Sequence, residues 1–236
     1  TRQLIDVTGE GKVAAGGTAL YVSPVSGKYY YLSNQDGVLS QYEMRGDSGK
    51  VDVELVRTTP FGSNKTESVV ADHLLKRIYV SEEVGARVWR LEAEPDAGDE
   101  KILVDQARKD GGRLTEDTEG LAIYYKSDGT GYLFVSNQGA NSYAVYTREG
   151  GNDFIGMFEI VDHMGLDGTE NTDGIDIVNL PMGPLFPKGF FIAQNGQNMN
   201  GDVRENQNFT FVRFEELMEK LGLSADTEFD PRRIGS

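Results

Sequence analysis

The blocks KYYYLSNQDG from Lys28, KRIYVSEEVG from Lys76, GYLFVSNQGA from Gly131 and KGFFIAQNGQ from Lys188 are four versions of one pattern. Each is an aromatic and β-branched run stopped by a polar turn, the signature of a buried strand. Aligned on Ser33, Ser81, Ser136 and Ala193, they recur at intervals of 48, 55 and 57 residues. An apolar run precedes each block: TALYV from Thr18, SVVAD from Ser68, GLAIYY from Gly120 and GIDIV from Gly174. An alternating run follows each: LSQYEM from Leu39, ARVWRL from Ala86, SYAVYT from Ser142 and FTFVRF from Phe209. Three units add an outer run, VDVELVR from Val51, KILVD from Lys101 and FIGMFEIV from Phe154. Four antiparallel strands at this period are the arithmetic of a propeller blade. The spacing therefore predicts an all-β propeller with repeats near 17–62, 63–112, 113–165 and 166–222, in a single domain or partial ring over 1–236.

The fourth unit lacks an outer strand and ends in FEELMEKLG, where Phe214, Leu217 and Leu221 share a helix face and Gly222 can cap the end. QLIDV from Gln3 is a strand without a unit of its own. Either it closes a four-bladed ring by completing the last blade, or it is the tail of an earlier blade.

Composition narrows the chemistry. In 236 residues, 38% hydrophobic and 10% aromatic, there is material for a sizeable core and no 18-residue apolar run to cross a membrane. Twenty-three Lys and Arg against 38 Asp and Glu give a formal charge of −15. That balance repels nucleic acid and anionic membranes and attracts cations. The absence of Cys removes disulfides, thiol nucleophiles and thiolate metal sites, and His73 and His163 alone cannot build a multi-histidine zinc cage. Any metal is held by oxygen. Thr1 and its polar neighbours show no cleavable signal, so a mature, trimmed or cytosolic chain is expected.

The inner strand of each blade lines the propeller's central channel, so residues entering it from successive blades converge. Those residues are Glu67, then Asp117 and Glu119, then Asp173 and Asp176, with Tyr21 inside the first inner strand. Like charges packed together repel by several kcal/mol at intermediate dielectric unless a cation joins them or some neutralise. Calcium, with six to eight oxygen ligands in flexible geometry, suits such a ring better than magnesium. The loop LDGTENTDGID adds Asp167, Glu170, Asp173 and Asp176 at three-residue intervals.

LTEDTEGLAIYYKSDGTGYLFVSNQGANSYAVYTREG from Leu114, DGTENTDGIDI from Asp167, FFIAQNGQN from Phe190 and NQNF from Asn206 together resemble the β-propeller phytases. LYVSPVSGKYYYL, TESVVAD, YVSEEV and RLEAEPD extend the likeness from about Gly17 to Arg233. The resemblance implies a six-bladed, calcium-dependent phosphatase of secreted or periplasmic setting that removes phosphate from phytate, taken as its calcium salt. This chain looks like the C-terminal two-thirds of such a domain, with missing N-terminal blades on the same precursor or another chain. By the same resemblance Glu67, Asp117, Glu119 and Asp167 fall on calcium-ligating positions. Tyr21, Glu83 and Asp173 fall around the bound phosphate and its metals, with Asp36 beside them and Asn195 and Asn198 as further oxygen ligands. Glu67, Asp117, Glu119 and Asp173 are the residues expected to serve catalysis, through a metal-activated water and no covalent nucleophile.

The chain departs from the family pattern at Gln35, where a Lys is usual before the acid, and at Asn195 and Gln197, where acidic residues are common. Two functions follow as expectations: a calcium phytase, or a weakly active or non-catalytic accessory propeller that binds calcium or phosphate. Tyr29, Tyr30, Tyr31, Tyr124 and Tyr125 read as blade-packing residues, Trp89 as core of a third strand, and His73 and His163 as surface histidines.

Overall fold

The computed structural model describes residues 16–62 and 65–230, and in them the repeats become sheets. The first blade is β1 (Thr18–Val22), β2 (Tyr29–Gln35), β3 (Val38–Asp47) and β4 (Lys50–Pro60), antiparallel in that order. Its β2–β3 turn is Asp36-Gly37 with both residues at positive φ, the two-residue hairpin geometry that matches strand twist. The second blade is β5 (Thr66–Asp72), β6 (Arg77–Glu82), β7 (Arg87–Glu92) and β8 (Ile102–Asp105), and the third is β9 (Thr118–Tyr125), β10 (Gly131–Asn137), β11 (Ser142–Thr147) and β12 (Phe154–Phe158). The last blade pairs β13 (Ile175–Val178), β14 (Phe190–Asn195) and β17 (Asn208–Arg213), and the small hairpin β15 (Met199–Asn200) and β16 (Val203–Arg204) is inserted between β14 and β17. As the spacing predicts, no outer strand joins this blade among the described residues. Helix α1 (Phe214–Leu221) packs in its place, burying Phe214 and Leu217 and ending at Gly222 in the left-handed region. Gln3 to Val7 lie outside the described residues.

Inner strands β1, β5, β9 and β13 stand side by side in chain order. Apolar side chains fill the space between successive blades. Tyr30, Leu32, Val69, Ile78 and Val80 join the first to the second, Tyr79, Val88, Leu121, Leu133 and Tyr146 the second to the third, and Phe134, Tyr143, Phe191 and Phe214 the third to the fourth and the helix. Fully burying each large side chain stabilises by about 1.5–3 kcal/mol. Trp89 packs partly buried against the first of these clusters, in a third strand as expected.

At the far end of the inner strands, Asp72 closes β5 against Arg148 of the next blade. Both side chains are fully buried, and the guanidinium donates to both carboxylate oxygens at 2.6 and 2.8 Å. The amides of Leu74 and Leu75 donate to the same carboxylate, and the Tyr125 ring lies against the guanidinium at 4.4 Å. His73 follows directly, and it is not the surface histidine its polar neighbours suggest. Its ring is stacked between Tyr21 and Tyr125, and its Nδ1 accepts a hydrogen bond from the Val22 amide at 2.9 Å. His163 is exposed.

Candidate functional site: an acidic cup at the mouth of the inner strands

Two inner strands share one irregularity at one place. In β5, Thr66 faces Glu82 and Val69 faces Val80, so Glu67 and Ser68 together oppose Ser81. In β9, Thr118 faces Asn137 and Leu121 faces Val135, so Glu119 and Gly120 together oppose Ser136. Each is a β-bulge, a device that bends a strand and re-aims a side chain. The bulged pair starts with the acid in both cases. β1 and β13 pair without a shift.

Hydroxyls tie the bulges together. The Ser68 amide, set free by its bulge, donates to Ser81 Oγ at 2.9 Å, and Ser81 Oγ donates to the Glu119 carbonyl at 2.7 Å. The Leu121 amide returns a bond to Ser68 Oγ. Ser136 repeats the move one blade on, donating to the Thr172 carbonyl at 2.7 Å. Ser81 and Ser136 are therefore hooks from one blade to the next. Backbone bonds complete the seam: the Glu83 amide donates to the Lys65 carbonyl, the Asp117 amide to the Glu83 carbonyl and the Gly120 amide to the Asp173 carbonyl. Gly120 is required there, since a Cβ would lie 2.5 Å from the Asp173 oxygen.

The result is a cup in which carboxylate oxygens of Glu67, Glu83 and Glu119 all lie within 4.8 Å of one another. Glu119 is 9% exposed, and its carboxylate has no hydrogen bond or ion pair among the described residues. Burial, then the charges of Glu67, Glu83 and Asp173, push it up to about 8. Burial also raises Glu67. In Glu83 burial is outweighed by the Lys65 charge and by the bond shared with Glu67, and the carboxyl is held below its ordinary value. Lys65 Nζ touches Glu67 and lies 2.6 Å from Glu83 Oε2. One ammonium thus serves both carboxylates as hydrogen-bonded ion pairs. An all-oxygen set of crowded, unsatisfied carboxylates fits a hard divalent cation and not a metal that prefers nitrogen or sulfur.

The other residues singled out in the sequence are placed as follows. Asp173 borders the cup: its Oδ1 accepts from Gln138 Nε2 at 2.6 Å and its amide donates to Gln194 Oε1. Asp117 is exposed, with φ 63, and reaches the cup through its backbone bond to Glu83 rather than through its carboxylate. Asp36 sits exposed in its hairpin turn at the same end of the first blade. Asp167, Asn195 and Asn198 form no part of the three-carboxylate group. Asp167 Oδ2 accepts from Asn195 Nδ2 and the Met199 amide, while Asn195 Oδ1 accepts from the Glu170 and Gln197 amides. Asn198 Nδ2 donates to the Asn206 carbonyl. Tyr21 lies at the opposite end of its strand, fully buried, with its hydroxyl donating to Glu94 at 2.6 Å. Asp176 is exposed and accepts from the Ile177 amide.

Spacing alone overlooks Lys65, Ser68 and Ser81. A readable signal was there. Thr66-Glu67-Ser68, Thr118-Glu119-Gly120 and Thr172-Asp173-Gly174 are one motif, buried Thr, acid, then small residue. Lys65 precedes Glu67 by two, which puts both on one face of an extended chain.

Two solved auxiliary nutrient binding proteins have limited likeness. That from Bacteroides ovatus is 13% identical with a TM-score of 0.47, over 74% of this chain and 44% of its own. That from Bacteroides thetaiotaomicron is 10% identical with a TM-score of 0.48, over 83% and 48%. The 3-phytase of Bacillus subtilis (strain 168) is 41% identical over 222 residues, 92% of this chain, and the chain spans 57% of that relative's length. The Phytase family model matches residues 12–236, and with the bulged acidic cup on inner strands the chain belongs to the phytase family.

Proposed function

We propose that this chain takes part in calcium-dependent hydrolysis of phosphate monoesters, with phytate, myo-inositol hexakisphosphate, as substrate in its calcium form. The observation that carries the reading is the convergence of Glu67, Glu83 and Glu119 from two blades onto one cation-sized space, in a chain of the phytase family. Glu67, Glu83 and Glu119 would hold the ion, with Asp173 and Asp117 at its border. When bound, such an ion supplies neutralisation of phosphate oxygens and a lowered pKa for a nearby water. The chain's own contribution is positional. Ser81 and Ser68 fix the two bulges, and the buried Glu119 stays short of polar partners, so the cup is organised before anything binds. Gln138 and Gln194 orient Asp173 from side chain and backbone. The same reading carries a secreted or periplasmic setting, where calcium is plentiful.

A second reading, an accessory domain that binds calcium without turnover, is favoured by one observation. Among the described residues the only cation in contact with the cup's carboxylates is Lys65, which is itself ion-paired. Release of inorganic phosphate from calcium phytate, with and without chelator, separates the two. The phytase reading expects release that chelator abolishes and calcium restores. Calcium binding without release supports the accessory domain, and absence of both sinks the proposal.

A further inference from the structure

The Lys65 side chain is 59% exposed, so it enters the cup from solvent and is not held there by packing. Its backbone is fixed, since the Lys65 carbonyl accepts from the Glu83 amide at 3.0 Å just before β5. What keeps the ammonium in place is its pair of charge-assisted contacts, Glu67 Oε1 on one side and Glu83 Oε2 on the other. A single ammonium faces three carboxylates, and the most buried of them, Glu119, makes no ion pair among the described residues. The compensation is incomplete in amount.

We propose that Lys65 is a displaceable resident counter-ion: its ammonium and a divalent cation compete for the same Glu67 and Glu83 oxygens, so Lys65 tunes how tightly the cup holds metal. The inference rests on the reading of the cup as a cation site. A divalent ion gains more from the three carboxylates than an ammonium does, because it carries twice the charge and accepts six or more oxygens. To enter, it must break two lysine contacts. The four-carbon stem of Lys65 lets the ammonium swing out without moving β5. The lysine thus keeps the crowded carboxylates folded together when metal is scarce, at the expense of affinity when it is present.

The test uses the full chain, stripped with chelator and titrated with calcium chloride by calorimetry, as wild type, Lys65→Gln and Lys65→Arg. Removing the charge is expected to tighten calcium binding about fivefold, the effect of roughly one partly exposed ion pair. Lys65→Arg should stay within about twofold of wild type. In chelator Lys65→Gln should melt below wild type, and calcium should raise its midpoint by more. Calcium binding by wild type with equal or weaker binding by Lys65→Gln overturns the competition and leaves the cation site standing. So does a tightening in Lys65→Arg as large as in Lys65→Gln. No calcium binding in any of the three removes the cation site and this inference with it.

Discussion

Strand β5 carries a carboxylate near each end, and the two are treated in opposite ways. Asp72 at its end is fully buried and fully answered: two guanidinium bonds from Arg148, two backbone amides and a tyrosine face behind the arginine. Glu67 at its start shares one ammonium with Glu83 and crowds against Glu119. Both ends are rich in charge. The first spends its polar groups on each other and so locks two blades; the second leaves its oxygens short of partners and so waits for a ligand. Burial alone does not mark a functional carboxylate. Burial without satisfaction does.

The largest break in that comparison is at the locked end. Arg148→Met strands the Asp72 charge in the interior and should cost about 3–5 kcal/mol in urea unfolding, whereas Asp72→Asn combined with Arg148→Met should recover much of it. A cost near that of a surface substitution would mean the pair does not join the blades. At the open end Glu119→Gln removes the most crowded carboxyl group. Calcium affinity by calorimetry should fall about 10- to 100-fold, with the melting temperature in chelator no lower than wild type. A matching fall in stability would make Glu119 a structural residue like Asp72.

The smallest effect sharpens the locked end by pH. Burial lowers the pKa of His73, with Asp72 pulling the other way and Arg148 adding to the fall. The unfolded chain therefore binds the proton first, and stability is fully present above about pH 6.5. It is lost as pH drops from there through the lowered folded value. His73's share of the unfolding free energy should fall between pH 7 and 5, and it is read as the difference between wild type and His73→Phe, because the raised carboxyl of Glu119 contributes the opposite slope over that range. His73→Phe should remove that share and change the slope accordingly, while lowering stability overall, because the Val22 amide loses its acceptor. An unchanged slope in the variant would assign the proton elsewhere.

Much of this fold is legible because a propeller repeats itself: Ser33, Ser81, Ser136 and Ala193 mark the middle strands, and the missing fourth outer strand and helix α1 are visible as a change of period. The site is legible only in part. Glu67 and Glu119 stand out by position in the repeat, but Glu83 enters through family resemblance, since a strand-end Glu-Glu has no distinctive pattern. Asp117 and Asp173 share the repeat position yet only border the cup, because a side chain's aim depends on bulges that hydrophobic alternation does not report. Tyr21 falls in the correct strand at the wrong end, and the partnership of Asp72 with Arg148, 76 residues apart, leaves no local trace.

The paired bulges also decide which kinds of change the mouth can survive. Except at Gly120, where a side chain would strike Asp173, side-chain swaps leave the chain length between Thr66 and Val69, or between Thr118 and Leu121, intact, and the acids keep their aim. Losing a single residue from either segment would restore a regular ladder and turn the carboxylate to the opposite face of the sheet. For this molecule, the vulnerable quantity at its mouth is the count of residues more than their identity.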